Sequence, residues 1–257
     1  MLLAVTRDVS PTLTDCELTF LDREPVDVGR AREQQAEYRR LLEACGARVV
    51  ALPADPAFPD CCFVEDAAVV VGEVAVLTRP GAESRRREPE ALEKVLAQHR
   101  PLARIESPAT LDGGDVLVVG RRVFVGRTQR TNEAGADALR RILSPFGYEV
   151  VAVPVSGCLH LKTAVTAVDD QTLLLNPEWV GRERFAGYET LAVPAEEPLA
   201  ADVLRIGGAV AMHAGFPRTR DLLAARGVDL HTVDLSEFLK TEAGVTCLSV
   251  VIEAAGA

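Results

Sequence analysis

The stretch Glu65–Leu96, "EDAAVVVGEVAVLTRPGAESRRREPEALEKVL", and the stretch Gly113–Leu143, "GGDVLVVGRRVFVGRTQRTNEAGADALRRIL", follow one plan. Each has an acidic residue, an apolar run, a glycine turn (Gly72 or Gly120) and a second apolar run ending near arginine. A helical segment then follows. Two short apolar runs joined by a tight turn read as a β-hairpin. A third copy of the front half, "ADVLRIGGAVAMHAGFPRTRDLLAARG", begins at Ala201, with Asp202-Val203-Leu204 matching Asp115-Val116-Leu117. A weaker copy, "LKTAVTAVDDQTLLLN", follows His160, with its polar turn at Asp169-Asp170-Gln171.

The hairpin starts fall at Asp66, Asp115, about His160, Asp202 and Cys247, at intervals of 49, 45, 42 and 45 residues. Such a period is the signature of a repeat architecture. It predicts five units, each a hairpin, a helix and a further strand. "ARIESP", "YEVVAVPV", "ETLAVPA" and "VDLHTVDL" are the candidate final strands. The fifth unit, "VTCLSVV", runs off the C-terminus after one strand. The N-terminus offers the missing parts: "LLAVTR" as a strand, Asp27 to Glu43 as an amphipathic helix, and "ARVVALP" as a closing strand. A ring joined across its termini leaves no sheet edge open, which is a physical reason for the design. The alternative is an open α/β sheet with accidental similarity. The ring is favoured because acidic or reactive residues recur at the same place in each unit. In a ring those places converge on a central channel, making one site of Cys247, His160, Asp112 to Asp115 and Glu65-Asp66. The expectation is therefore a single catalytic domain over 1–257, of α/β class, with ββαβ repeats.

Composition bounds the function. The chain has 257 residues, 48% apolar and 26% charged, the balance of a globular protein. No apolar run approaches the eighteen or so residues of a membrane span, and "MLLAVTRDVS" reaches Arg7 and Asp8 too soon for a secretory signal. A cytoplasmic protein is expected. The net charge of −10 argues against non-specific nucleic-acid binding and is compatible with a small cationic substrate. The six cysteines include an adjacent pair, Cys61-Cys62, and no CxxC spacing, so free thiols are expected and a structural zinc site lacks its signature. Cys61 and Cys62 read as core-facing and solvent-facing neighbours, or as oxidisable thiols beside the site.

Taken singly, the polar residues have bland readings. Cys247 between Thr246 and Leu248 could be a small core residue, and His160 between Leu159 and Leu161 a satisfied core imidazole. Asp112 and Asp115 could cap turns around Gly113-Gly114. Together they offer a thiol, a base and paired carboxylates. A guanidinium is planar and charged at neutral pH, so paired carboxylates can grip it bidentately. Acids with His and Cys also make metal sites, though no close His or Cys spacing supports one here.

The ordered motifs "CFVEDAAVV", "LTRPGAESRRRE", "LDGGDVL", "FVGRTQRTN", "LHLKT" and "VTCLSVV" closely resemble the dimethylarginine dimethylaminohydrolases, of the guanidino-group-modifying (pentein) superfamily. The resemblance spans nearly the whole chain. It implies a five-bladed α/β propeller and conversion of Nω-methylated arginine to citrulline, with no metal or organic cofactor. By the same resemblance Cys247 is the nucleophile and His160 the acid/base, while Asp66 and Asp112 hold the guanidinium. Asp60 and Glu65 are further acidic contacts. Arg85 and Arg130 face the amino-acid end, and Leu18 belongs to an N-terminal lid loop. "LKTEAGVTC" matches only loosely, with Thr241 its candidate contact. The implied partner is a small molecule; a homodimer is compatible with the reading. Alternatives are an arginine deiminase, an amidinotransferase, or an inactive arginine-binding relative.

Overall fold

The computed structural model describes residues 2–253, so the first and the last four residues of the expected domain lie outside it. The chain enters as β1 (Leu2–Arg7), passes through the helix Val28–Ala44 and returns as β2 (Ala47–Leu52), parallel to β1. The Asp27 carboxylate starts that helix by accepting from the Arg30 N–H at 3.0 Å, as an N-cap acid does. Four units of one topology follow: β3 (Ala68–Val70), β4 (Ala75–Leu77) and β5 (Leu102–Arg104); β6 (Val116–Val119), β7 (Arg122–Arg127) and β8 (Glu149–Pro154); β9 (Val165–Ala167), β10 (Thr172–Leu175) and β11 (Glu189–Ala192); β12 (Val203–Ile206), β13 (Ala209–His213) and β14 (Leu230–Val233). In each, the first strand runs antiparallel to the second, and the second parallel to the third. The last strand, β15 (Val250–Ile252), pairs antiparallel with β1, giving the fifth sheet in the order β15-β1-β2. The five ββαβ units and the pairing of the two ends are as the repeat predicted.

The middle strand of each sheet is flanked on both sides in its own sheet. The side chains of β4, β10 and β13 are buried throughout. Apolar clusters fill the spaces between sheets, such as Leu3, Val5, Leu77 and Leu96 between the β1 and β3 units. The five first strands line a central cavity of about 580 Å3, with Val69, Leu117, Thr166, Leu204 and Val250 among its walls.

The units differ in detail from the expected pattern. The crossover after β4 holds only short helical turns (Glu88–Ala91, Glu93–Leu96), and that after β10 a single turn, Arg182–Phe185. The residues read as hairpin starts are not in strands. Asp66 and Asp115 lie in short helical turns (Val64–Ala67, Gly113–Asp115), His160 caps Leu161–Ala164, and Cys247 sits in a turn three residues before β15. Apolar patterning could not show this, since one helical turn and a strand end look alike over four residues. Among the described residues no helix is long and apolar enough to cross a membrane.

Candidate active site

These turns bring carboxylate and imidazole side chains together beside the cavity, whose lining includes their neighbours Glu65, Gly113, Lys162 and Thr246. Nε2 of His160 lies 3.0 Å from Asp112 Oδ2, and its Nδ1 lies 3.7 Å from Asp66 Oδ1. The approach depends on Gly113 and Gly114. A β-carbon on Gly113 would stand 2.0 Å from the Glu65 carbonyl oxygen; one on Gly114 would stand 2.7 Å from both Asp66 Oδ1 and His160 Nδ1. Only hydrogen fits there.

Each charge is matched. Asp66 accepts from Arg85 Nη1 at 2.7 Å and from the Gly114 N–H at 3.0 Å. Arg85, 3% exposed, also forks onto Glu88 and donates to the Phe63 carbonyl, which uses four of its five N–H groups. Burial works to raise the Asp66 pKa, but the His160 and Arg85 cations outweigh it and hold it at about 2. Asp112 accepts from the Gly81 N–H at 2.8 Å and stands 3.8 Å from Arg130. Burial works to lower the His160 pKa; Asp66, Asp112 and Asp115 overcome this and lift it from 6.5 to about 9. The imidazole is therefore a cation at neutral pH, poised to give a proton.

Cys247 is 8% exposed, and Sγ receives the Gly244 N–H at 3.4 Å. Its carbonyl accepts from the Glu65 N–H at 3.2 Å, which ties the nucleophile's turn to the Val64–Ala67 turn. Burial, then the negative charges of Asp202, Glu65 and Asp66, push the thiol's pKa well above 9.0. In the free protein it is protonated; a cation bound among these carboxylates would favour the thiolate.

Asp60, also buried, accepts from the Glu17 N–H with both oxygens at 3.2 Å, and so anchors the loop that carries half-buried Leu18. Arg130 reaches the same loop at Thr19 Oγ1, 3.3 Å away. Asp60, Leu18 and Arg130 thus gather on one side of the site. Of the Glu65 oxygens, one takes Lys162 Nζ at 2.6 Å and the other Thr246 Oγ1 at 2.8 Å, at the head of the central cavity. Thr241 donates its hydroxyl to the Phe238 carbonyl at 2.6 Å. Cys61 and Cys62 are both buried, so neither is the solvent-facing partner, and all six cysteines are free thiols. Asp66, Asp112 and His160 offer ligand atoms within 4.8 Å of one another, a spacing that could hold a metal ion. Their charges are matched instead by Arg85, Arg130 and the imidazolium itself.

Several residues of the site were not picked out by sequence reasoning. Asp202 accepts from the Thr246 N–H at 3.0 Å and fixes the turn before Cys247; burial lifts its pKa to about 7. Its place at a repeat start was the available signal. Asp115, which the repeat did place at the site, accepts from the Leu161 N–H at 2.9 Å and so orients the His160 segment. Lys162, two residues beyond His160, and Glu242, which holds the 17–23 loop, had no sequence signal.

The Streptomyces coelicolor N(G),N(G)-dimethylarginine dimethylaminohydrolase is 44% identical to this chain over 96% of it and 95% of its own length. The chain belongs to the dimethylarginine dimethylaminohydrolase family. Residues 29–200 also match the arginine deiminase family. The Pseudomonas aeruginosa enzyme of the same name is 38% identical, over 87% of this chain and 89% of its own. A solved structure of that enzyme, a serine-for-cysteine mutant complexed with citrulline, superposes with a TM-score of 0.93 at 35% identity, covering 97% of this chain and 98% of its own. A dimethylarginine dimethylaminohydrolase with glycine for histidine, in an adduct with S-methyl-L-thiocitrulline, gives 0.94 at 35% identity over 98% and 100%. The five-sheet α/β ring is the fold of this family.

Proposed function

We propose that this protein hydrolyses Nω-methylated L-arginine to L-citrulline and methylamine or dimethylamine, with Cys247 as nucleophile and His160 as acid and base. The observation that carries the reading is a buried imidazolium between two carboxylates, with the buried Cys247 turn hydrogen-bonded to the turn that holds Asp66. The relatives' reported ligands, citrulline and a thiocitrulline adduct, fit the same chemistry.

In this scheme the substrate guanidinium enters over Asp66 and Asp112, with its amino-acid end toward Arg130, Asp60 and the Leu18 loop. Its charge favours loss of the Cys247 proton to solvent water, since His160 is already protonated. The thiolate attacks the central guanidinium carbon, forming a C–S bond and a tetrahedral adduct. His160 gives its proton to the alkylated nitrogen, the C–N bond breaks and the amine leaves. Water then attacks the S-alkylthiouronium carbon while neutral His160 takes its proton. As the C–S bond breaks, the hydroxyl proton passes to the departing sulfur, which releases citrulline and restores the thiol. Asp112 and Asp66 hold the His160 ring in place through both steps, and no redox or cofactor step is required for the balance.

The reading includes a cytoplasmic location, action on a small molecule rather than on nucleic acid or membrane, and a possible homodimer, which light scattering would distinguish from a monomer. The match to arginine deiminases keeps plain arginine as the rival substrate. Purified protein incubated with asymmetric dimethylarginine, and separately with arginine, should give citrulline from the first. Citrulline from arginine alone would move it to the deiminases; silence from both would leave a binding protein.

A further inference from the structure

Asp115 is fully buried and so cannot meet a substrate, yet it is bonded toward both ends of the site. Its Oδ1 accepts from the N–H of Leu161, the residue after His160, at 2.9 Å. Its Oδ2 takes the Thr128 hydroxyl at 2.6 Å. That hydroxyl oxygen in turn receives the Arg130 N–H at 3.1 Å and the Thr131 N–H at 3.2 Å. Thr131 Oγ1 receives the Asp112 N–H at 3.1 Å, and Asp112 Oδ2 stands 3.0 Å from Nε2 of His160. The links close on themselves, running from Asp115 through Thr128, Thr131, Asp112, His160 and Leu161 back to Asp115.

Counting donors and acceptors fixes the directions in this circuit. Thr128 Oγ1 has two lone pairs and two backbone N–H groups fill them, so its own hydrogen goes to Asp115. Asp115 therefore receives at both oxygens. A carboxylate satisfies that pattern, whereas a neutral acid would add a proton with no acceptor in the circuit. Burial raises its pKa, and His160 with the Thr128 and Thr131 hydroxyls holds it to about 6. It is charged at neutral pH. Gly126 of β7 makes room for the junction: a β-carbon there would stand 2.7 Å from Asp115 Oδ1 and 2.8 Å from the Leu161 β-carbon.

We propose that Asp115 is a positioning residue for the reaction. By closing the circuit it sets the His160 ring against Asp112 and, through the Thr128 turn, places Arg130 for the substrate's amino-acid end. The acid/base and the far anchor are thereby held in one register. The proposal rests on the roles given to His160 and Arg130 above.

Thr128→Val keeps the shape of a half-buried side chain, changes no charge and opens the circuit. Asp66, Asp112 and Asp115, the carboxylates that face the imidazole, all remain, as do Arg85, Arg130 and Lys162. A shift in the His160 titration can then come only from geometry. Proton NMR of the free protein reads it without turnover, the His160 resonance being assigned by its loss in His160→Asn. The wild-type midpoint of about 9 should fall by roughly one pH unit in Thr128→Val. Thr128→Ser, which keeps the hydroxyl, should restore it. In turnover, Thr128→Val should raise KM for asymmetric dimethylarginine and lower kcat by about ten- to hundred-fold, the cost of groups misplaced by an ångström. Should the valine variant fail to fold, Thr131→Val opens the circuit at its next link and should give the same shift. A wild-type midpoint in a folded Thr128→Val or Thr131→Val protein would overturn the proposal, as would an equal fall in Thr128→Ser. A wild-type protein that makes no citrulline would overturn the proposed function instead, and the NMR titration separates the two failures.

Discussion

Asp112 Oδ2 stands 3.0 Å from Nε2 of His160 and 3.8 Å from Nη1 of Arg130. One carboxylate oxygen thus faces both the proposed acid/base and an arginine that reaches the 17–23 loop through Thr19. Asp112→Asn keeps the shape and removes the charge. Because Asp112 is among the groups that hold the His160 pKa near 9, the variant's imidazolium should titrate lower. The alkaline limb of the kcat profile should move to lower pH, and kcat should fall by about 10²–10⁴. A variant with reduced kcat but an unmoved alkaline limb would mean that Asp112 acts on something other than the imidazole.

The same ion cluster makes stability depend on pH. The folded pKa of His160, about 9, lies above the ordinary 6.5, so the imidazolium's contribution is complete below 6.5 and is lost as pH rises toward 9. The group is 4% exposed, and the shift corresponds to something on the order of 3 kcal/mol. Thermal melts of the protein and of His160→Asn should therefore differ most below pH 6.5 and converge toward pH 9. A difference that stays constant across that window would show that the imidazole is not protonated in the folded state.

Cys247 offers an independent check. Burial and three nearby carboxylates keep it a thiol, so a free-protein alkylation rate with iodoacetamide, mapped to Cys247 by mass spectrometry, should still be rising at pH 9.0. A plateau at neutral pH would mean a preformed thiolate and would remove the need for a substrate cation. Cys247→Ser should abolish turnover while leaving the melting curve essentially unchanged; retained citrulline formation would exclude Cys247 as the nucleophile.

The ring was legible because its signal is periodic. Asp66, Asp115, His160, Asp202 and Cys247 mark the same point in five units, and that point is where the site's turns occur. The same logic made Asp202 available, yet nothing local distinguishes a carboxylate that fixes a turn from one that meets a ligand. Glu65 shows this in reverse. It reads as a substrate contact, and nothing local shows that Lys162, 97 residues away, and Thr246, 181 residues away, also hold its two oxygens. Such pairings depend on which units adjoin and on rotamers, and no spacing rule encodes them. The helical character of these turns was hidden for a simpler reason: four residues are too few to display a period.

Glu242 was silent in the sequence and is the clearest mechanical link in the structure. Its Oε1 accepts from the Thr19 N–H at 2.9 Å, the Leu21 N–H at 2.6 Å and the Phe20 N–H between them. It is the one non-glycine residue with positive φ among those described, at 59°, a conformation that a side chain with a β-carbon adopts reluctantly. Five residues later the chain reaches Cys247, so the loop that carries Leu18 and the turn that carries the thiol are joined at this carboxylate. Arg23 is exposed, but its guanidinium is held on the Cys16 carbonyl at 2.6 Å, so its side chain is free to enter a protease only when the loop undocks. Glu242→Ala should release the loop: trypsin should cut at Arg23 faster, and KM for asymmetric dimethylarginine should rise about ten-fold, the scale of a lost charged hydrogen-bond acceptor. The loop positions substrate without joining in bond making, so kcat should change far less. Glu242→Gln keeps an acceptor oxygen and should restore most of the loss, with slower cutting at Arg23 than in the alanine variant. If both variants cut and bind like the wild type, the loop is held by Asp60 and Arg130 alone, and Glu242 has no part in positioning it.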